Sequence, residues 1–220
     1  MSINLKQLLI SSNNKFIYHF IPRVACSTFK YHLQQYIDNV EVVGKDEVDV
    51  RNSPLHTNIS KVTRYASDIN KYPDYYKFLV VRNPYDRLIS SYFEYIVPEK
   101  RFGIVSFPDY VKYLDTISTW DAVHDHFMPI SNMCGSLEVY NKIYKLEGKA
   151  LESIAEDLGL EFEEDIRFSS SKKNYYSIPH KELSTFCTMI ERVYLEDLEG
   201  FEYTIEDSYY LKKMKYKENI

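Results

Sequence analysis

Glycine is scarce in this chain, six in 220 residues, and none of the six sits in a GxxxxGK[ST] run. That absence removes the glycine-rich phosphate loop on which ATP- and GTP-hydrolysing proteins depend. Cysteine is scarcer: Cys26, Cys134 and Cys187 are the only three, too few and too scattered for a disulfide framework or a zinc site. No metal site is expected. A basic excess is also missing, since the net charge is −5, which speaks against a nucleic-acid partner. No apolar run approaches the ~20 residues that span a bilayer, and residues 1–15 lack the charged-then-apolar build of a secretion signal. Together these absences predict a cytoplasmic protein without a transmembrane segment. Repeats, low-complexity stretches and linkers are lacking too, so residues 1–220 are expected to form a single domain. Its end, the basic Lys212-Lys213-Met214-Lys215-Tyr216-Lys217 tail from about 206 to 220, is expected to be solvated.

What is present is an ordinary globular composition, 45% hydrophobic and 27% charged, with one excess. Tyrosine occurs 21 times. Amphipathic rings at the core boundary account for it, and a polar groove lined by aromatics stays open as the alternative. The hydrophobic pattern predicts a buried strand from Phe16 to Ile21, a helix from Ser27, and a short strand at Glu41-Val42-Val43. A loop follows over 44–56, then a helix from Ile59 to Ile69. The clearest strand is Phe78 to Val81, with Pro84 opening the helix behind it. Helices are predicted at 106–118, 120–128, Ala150 to Leu158 and Glu182 to Leu195, with a strand at Ile143-Tyr144-Lys145-Leu146 and an irregular stretch over 161–180. Strands alternating with helices give an α/β fold: three αβα layers around a central, mainly parallel sheet.

Two strand–turn–helix segments carry the chemistry. The first is Phe20-Ile21-Pro22-Arg23-Val24-Ala25-Cys26-Ser27-Thr28-Phe29-Lys30. Its small residues let backbone N–H groups approach an anion at a helix start, where the dipole is positive. Arg23 adds a side-chain charge, and Ser27 or Thr28 a hydroxyl. The second is Phe78-Leu79-Val80-Val81-Arg82-Asn83-Pro84-Tyr85-Asp86-Arg87-Leu88-Ile89-Ser90-Ser91-Tyr92. Here Arg82 ends a strand and Ser90 lies about two helical turns on, while Asp86 and Arg87 are expected to pair with neighbours. In parallel sheets ligands bind beyond the carboxyl ends of strands, where both arginines fall. Two such helix starts, each with its arginine, point to a ligand phosphorylated at two places.

These segments resemble the sulfotransferases that use 3′-phosphoadenosine 5′-phosphosulfate (PAPS), most of all the carbohydrate sulfotransferases of the HNK-1 and chondroitin/dermatan type. The first is similar to their 5′-phosphosulfate loop, usually Pro-Lys-Val-Ala-Cys-Thr-Asn-Trp-Lys. The second is similar to their 3′-phosphate motif, usually Phe-Val-Arg-(Asp/Glu)-Pro-Phe-Glu-Arg-Leu-Val-Ser-Ala-Tyr. Weaker likenesses follow at His126-Phe127-Met128-Pro129, at Tyr144-Lys145-Leu146-Glu147, and at Tyr194-Leu195-Glu196-Asp197 with Phe201-Glu202-Tyr203, where the family has Phe-Gly-Tyr. The resemblance runs over roughly residues 16–203. It implies a P-loop-NTPase-like sulfotransferase fold, PAPS as co-substrate, no metal, and a hydroxyl-bearing carbohydrate as acceptor. It also implies that Arg23, Val24, Ala25, Cys26, Ser27 and Thr28 hold the 5′-phosphosulfate, and Arg82 and Ser90 the 3′-phosphate.

One departure bears on catalysis. The family's loop lysine is Arg23 here. Arginine stays charged at any usable pH, so it stabilises a developing negative charge but does not donate a proton. Lys30, one helical turn on, is the candidate to substitute in part. For the base that takes the acceptor's proton, His56 is the first candidate and Glu94 the second. His126 is read either as a family element or as a packed histidine, His19 as lying within a strand and His32 as lying on a helix surface. Acceptor contacts are expected from 44–60 and 98–128. Two other readings stay open: a nucleotide-binding module without turnover, motivated by Arg23, and, more remotely, a P-loop-type nucleotide kinase.

Overall fold

The structure is a computed structural model in which residues 5–40, 42, 44, 55, 63–162, 178 and 180–216 are described. Most of the expected strand at 41–43 and of the loop over 44–56, the start of the 59–69 helix and most of 161–180 lie outside those residues. The chain divides into two compact units, residues 1–81 with 133–169 and residues 82–132 with 170–220.

The first unit holds the sheet. Its strands are β1 (Lys6–Ser11), β2 (Phe16–His19), β3 (Arg64–Tyr65), β4 (Tyr76–Val81) and β5 (Lys142–Lys145), in the order β3-β1-β2-β4-β5. β2 pairs parallel with β4 and β4 parallel with β5, in the registers Tyr18↔Phe78 and Phe78↔Lys142. β1 pairs antiparallel with β2 and β3. The fold is therefore α/β with a mixed five-stranded sheet whose core is parallel. β2 and β4 are almost wholly apolar because both of their faces are covered. Phe16, Ile17, Tyr18, Phe78, Leu79, Val80 and Val81 are all completely buried. Tyr18 stacks on Phe78 at 5.2 Å, and Tyr144 meets Phe78 edge-on at 5.8 Å. Each ring contributes about 2 kcal/mol by burial. Helices α1 (Cys26–Leu33) and, later in the chain, Ala150–Leu158 belong to the same unit. The latter stops at Gly159, whose φ of 62° suits a residue without Cβ.

The second unit is helical: α2 (Pro84–Ser91), α3 (Phe107–Thr116), α6 (His180–Val193), α7 (Leu195–Gly200) and α8 (Tyr209–Tyr216). By chain order Ile130–Cys134 is α4 and Ala150–Leu158 is α5. Asn83 caps α2 by accepting a bond from the Tyr85 N–H at 3.0 Å, with Pro84 in the first turn. Tyrosine is used more deeply than a boundary role requires. Tyr18, Tyr85, Tyr110 and Tyr194 are among the largest side chains with under 2% exposure.

Four expectations are corrected. Residues 64–71 form β3 and a 3₁₀ turn (Ala66–Lys71) instead of a helix, because Arg64 and Tyr65 pair with the open edge of β1. Residues 120–128 hold only a 3₁₀ turn at Ala122–His124, closed by a capping box between Asp121 and His124. His32 is 4% exposed, not on a surface; its ring packs on Tyr31 at 5.4 Å and Phe162 at 5.3 Å. The region from 206 is not wholly a solvated tail, because α8 forms there and buries Ser208 and Leu211.

Candidate functional site

The first half lies in the sheet unit. β2 leads through buried Phe20, Ile21 and Pro22 into a turn and then α1. Val24 is completely buried, while its neighbours Arg23 (φ 69°) and Ala25 (φ 59°) take left-handed backbone without being glycine. Anchoring Val24 in the core forces the chain to reverse on both sides of it, at a cost of about 1 kcal/mol or more per residue. The outcome is a helix start of unusual openness. Ala25 is the N-cap residue, no side chain caps α1, and its first turn carries no acid. Thr28 and Phe29 donate their N–H groups to the Ala25 carbonyl at 3.0 and 3.3 Å. The N–H groups of Cys26 and Ser27, one step earlier, have no acceptor among the described residues. Such an end takes an anion. Beside it is a cavity of about 120 Å³ lined by Ala25, Thr28, Phe29, Leu146, Gly148 and Leu151, with Glu152 at its wall.

Lys30 does not lie open to this turn. It is 2% exposed; its Nζ donates to the Leu55 carbonyl at 2.9 Å and sits 3.8 Å from the Phe20 ring centroid. Burial lowers its pKa, offset in part by Cys26. His19, within β2 as expected, is completely buried. Nδ1 lies 2.5 Å from the Tyr140 hydroxyl and Nε2 3.2 Å from Gln7 Oε1. Gln7 Oε1 only accepts, so Nε2 carries the proton and Nδ1 accepts from Tyr140. Desolvation holds this neutral ring's pKa down to about 3.

The second half lies in the helical unit. Arg82 follows β4 and is half-buried, and Ser90, on α2, is 2% exposed. An Arg82 Nη donates to the Tyr210 hydroxyl at 3.3 Å. Behind Ser90 the helix widens into a π turn, Tyr92–Ile96. That turn moves Glu94 off the column that α-helical spacing would give it. Glu94 is half-buried. His56 lies outside the described residues.

Asp86 and Arg87 pair with neighbours, as expected, and the detail is informative. Arg87, 1% exposed, donates to the carbonyls of Met128 (2.6 Å) and Asp125 (3.1 Å). Tyr194 donates to the Phe127 carbonyl at 2.6 Å, and Asp197 accepts from the N–H groups of Ile130 and Ser131 at 2.7 and 2.8 Å. Burial raises the Asp197 pKa, against those two backbone bonds and Arg87. Two motifs far apart in sequence thus pin one segment, 125–131. Within it His126 is neither buried nor bonded to backbone. Its ring lies flat on Tyr95 at 3.8 Å, and Nδ1 is 2.6 Å from Asp125 Oδ1. Glu202, in the place of the family's glycine, has φ 52°. A groove of about 760 Å³ separates α3 from α6, lined by Lys112, Asp115, Glu182, Thr185, Thr188 and Arg192. Asp115 and Arg192 form an ion pair. Among the described residues no cluster of metal ligands occurs and no helix is long and apolar enough to cross a membrane.

A parallel-cored sheet that leads into an acid-free, uncapped helix start defines an α/β protein with a candidate anion site. The chain belongs to the sulfotransferase family, whose model matches residues 6–204. It is similar to carbohydrate sulfotransferase 14 of Homo sapiens, at 29% identity over 62% of this chain and 41% of that protein. It is similar to carbohydrate sulfotransferase 11 of Rattus norvegicus, at 24% over 70% of this chain and 51% of the relative, and to carbohydrate sulfotransferase 14 of Danio rerio, at 24% over 88% and 59%. The chain spans about half the length of these curated relatives. No solved structure matches it significantly.

Proposed function

We propose that this chain moves the sulfuryl group of PAPS to a hydroxyl of a carbohydrate by in-line displacement. The observation that carries the reading is the turn at 23–25: strained without glycine, held by buried Val24, and opening onto an uncapped helix start. In this reading Arg23 and the 24–28 backbone hold the 5′-phosphosulfate, Arg82 and Ser90 the 3′-phosphate, and the 120 Å³ cavity the adenine ring. The acceptor oxygen attacks sulfur as the bond from sulfur to the 5′-phosphate oxygen breaks, and its proton passes to a base. Arg23 stabilises the negative charge that gathers on the departing phosphate, so catalysis rests on electrostatics and positioning. His56 remains the first candidate for the base and Glu94 the second. The carbohydrate acceptor is supported by the names of the relatives and by hydroxyl and charged groups along the α3–α6 groove.

The test begins with the melting temperature in the presence of 3′-phosphoadenosine 5′-phosphate, with AMP and ATP–Mg²⁺ as controls. A ligand at about 100 times its Kd adds roughly 2.7 kcal/mol, several degrees for a domain of this size. Transfer of labelled sulfate from PAPS to a panel of desulfated glycans follows. A shift with the bisphosphate and label on one glycan is the expected result. No shift at millimolar bisphosphate sinks the proposal. Binding without transfer to any acceptor supports the second reading, a module without turnover, which Arg23 in the lysine position favours. Stabilisation by ATP–Mg²⁺ alone turns the reading to a kinase.

A further inference from the structure

The family match ends at residue 204, yet the residues beyond it reach the arginine assigned to the 3′-phosphate. Asp86 lies four residues after Arg82 and is 1% exposed. It accepts three bonds from the start of α8: the Ser208 hydroxyl at 2.5 Å and the N–H groups of Tyr209 and Tyr210 at 2.8 and 3.1 Å. Its charge therefore rests on the positive end of a helix dipole. The Ser208 hydroxyl in turn accepts the Leu211 N–H at 3.2 Å, and Leu211 is 4% exposed. This arrangement sets the rotation of the first turn of α8. From that turn Tyr210 meets Arg82, accepting a hydrogen bond at 3.3 Å, with the guanidinium carbon 5.6 Å from its ring centroid.

We propose that Tyr210 is a positioning residue for Arg82, and that the first turn of α8, fixed by Asp86, tunes this chain to nucleotides carrying a 3′-phosphate. The inference rests on the donor reading above. Arginine grips phosphate through two parallel N–H groups in a rigid fork, so the fork's orientation decides how well it binds. A long, flexible side chain loses less freedom on binding when a neighbour already holds it. Tyr210 supplies that hold through its hydroxyl and its ring face. Asp86 would otherwise set a buried carboxylate close in sequence to a phosphate-binding arginine. The α8 N-terminus absorbs that charge.

Calorimetric titration of the full chain with 3′-phosphoadenosine 5′-phosphate and with AMP separates the possibilities, because only the first carries the 3′-phosphate. The wild type is expected to prefer the bisphosphate by about 100-fold, a preference that Arg82→Ala removes. Tyr210→Phe keeps the ring and loses the hydrogen bond. It is expected to weaken bisphosphate binding about fivefold and AMP binding by less than about twofold. Asp86→Asn loosens the α8 turn without changing the Tyr210 side chain and is expected to give the same selective loss. Equal loss of both nucleotides in Tyr210→Phe, or loss of neither, overturns the positioning role while the Arg82 result keeps the donor reading intact. Undiminished bisphosphate affinity in Asp86→Asn overturns the part assigned to α8. A wild type that binds the two nucleotides equally overturns the donor reading and this inference with it.

Discussion

The two compact units are each stabilised by different physics, and each carries one of the two strand–turn–helix segments. The sheet unit rests on apolar contact. β2 and β4 are buried on both faces, and its candidate binding feature is a piece of backbone strained by the anchoring of Val24. The helical unit rests on buried polar groups that bind backbone. Arg87, Tyr194 and Asp197 hold segment 125–131, and Asp86 holds α8. In the first unit side chains shape the chain by filling space. In the second they shape it by satisfying specific N–H and C=O groups, so the loss of one atom matters as much there as the loss of a ring matters in the sheet.

That contrast is sharpest in the largest expected effect. Arg87→Met keeps the volume but removes the donors to the Met128 and Asp125 carbonyls and leaves Asp197 buried without its cation. Urea unfolding is expected to show a loss of about 3–5 kcal/mol. Double substitution with Asp197→Leu is expected to cost less than the sum of the two single losses, because the charge interaction between them is then lost only once, although the Ile130 and Ser131 N–H groups lose their acceptor. Additive losses would mean that the two side chains act independently. In the sheet unit, Phe78→Leu shortens the ring that Phe16, Tyr18 and Tyr144 share. The same measurement is expected to give about 1–2 kcal/mol, with no rescue by any single polar change.

His19 lets pH enter the comparison. Its folded pKa is held near 3 by burial, against about 6.5 in the unfolded chain. The unfolded state therefore binds the extra proton between those values, and stability falls as pH drops from about 6.5 toward 3. At pH 5 the expected loss relative to pH 8 is about 2 kcal/mol. His19→Gln keeps a hydrogen-bonding side chain but cannot titrate, so its stability should change less over the same interval by that amount. Parallel pH curves for the two chains would show that His19 protonates without penalty. The smallest effect is at Glu202, whose left-handed φ of 52° marks the place where the resembled family carries glycine. Glu202→Gly is expected to stabilise by about 0.5–1 kcal/mol, read as a small rise in melting temperature.

The parts of the molecule legible in the chain are those governed by near neighbours. β2, β4, β5, α5 and α6 fall close to where apolar runs and periodicity set them, because local pattern and tertiary environment agree. The turn from β2 into α1 was legible for the same reason: its residues are contiguous. β1 was not read as a strand, since Lys6–Ser11 shows its role only through pairing with β2 and β3. The helix expected over 120–128 is only a 3₁₀ turn capped by Asp121 and His124, and the carbonyls that follow it are held by Arg87 and Tyr194, residues tens of positions away. Lys30 looked like a charge near the loop, and only the fold shows it turned onto the Leu55 carbonyl.

By itself the sequence determined the class of fold, the two strand–turn–helix segments and the family, because strand and helix periodicity and short contiguous motifs are written in adjacent residues. Tertiary structure alone decided that Val24 strains the turn on either side of it, that the His126, Arg87 and Tyr194–Asp197 motifs interlock on one segment, and that Tyr210 reaches Arg82. Those facts depend on where distant residues end up in space, and that is set by packing and by the need to satisfy every buried polar group, which no local stretch of chain encodes.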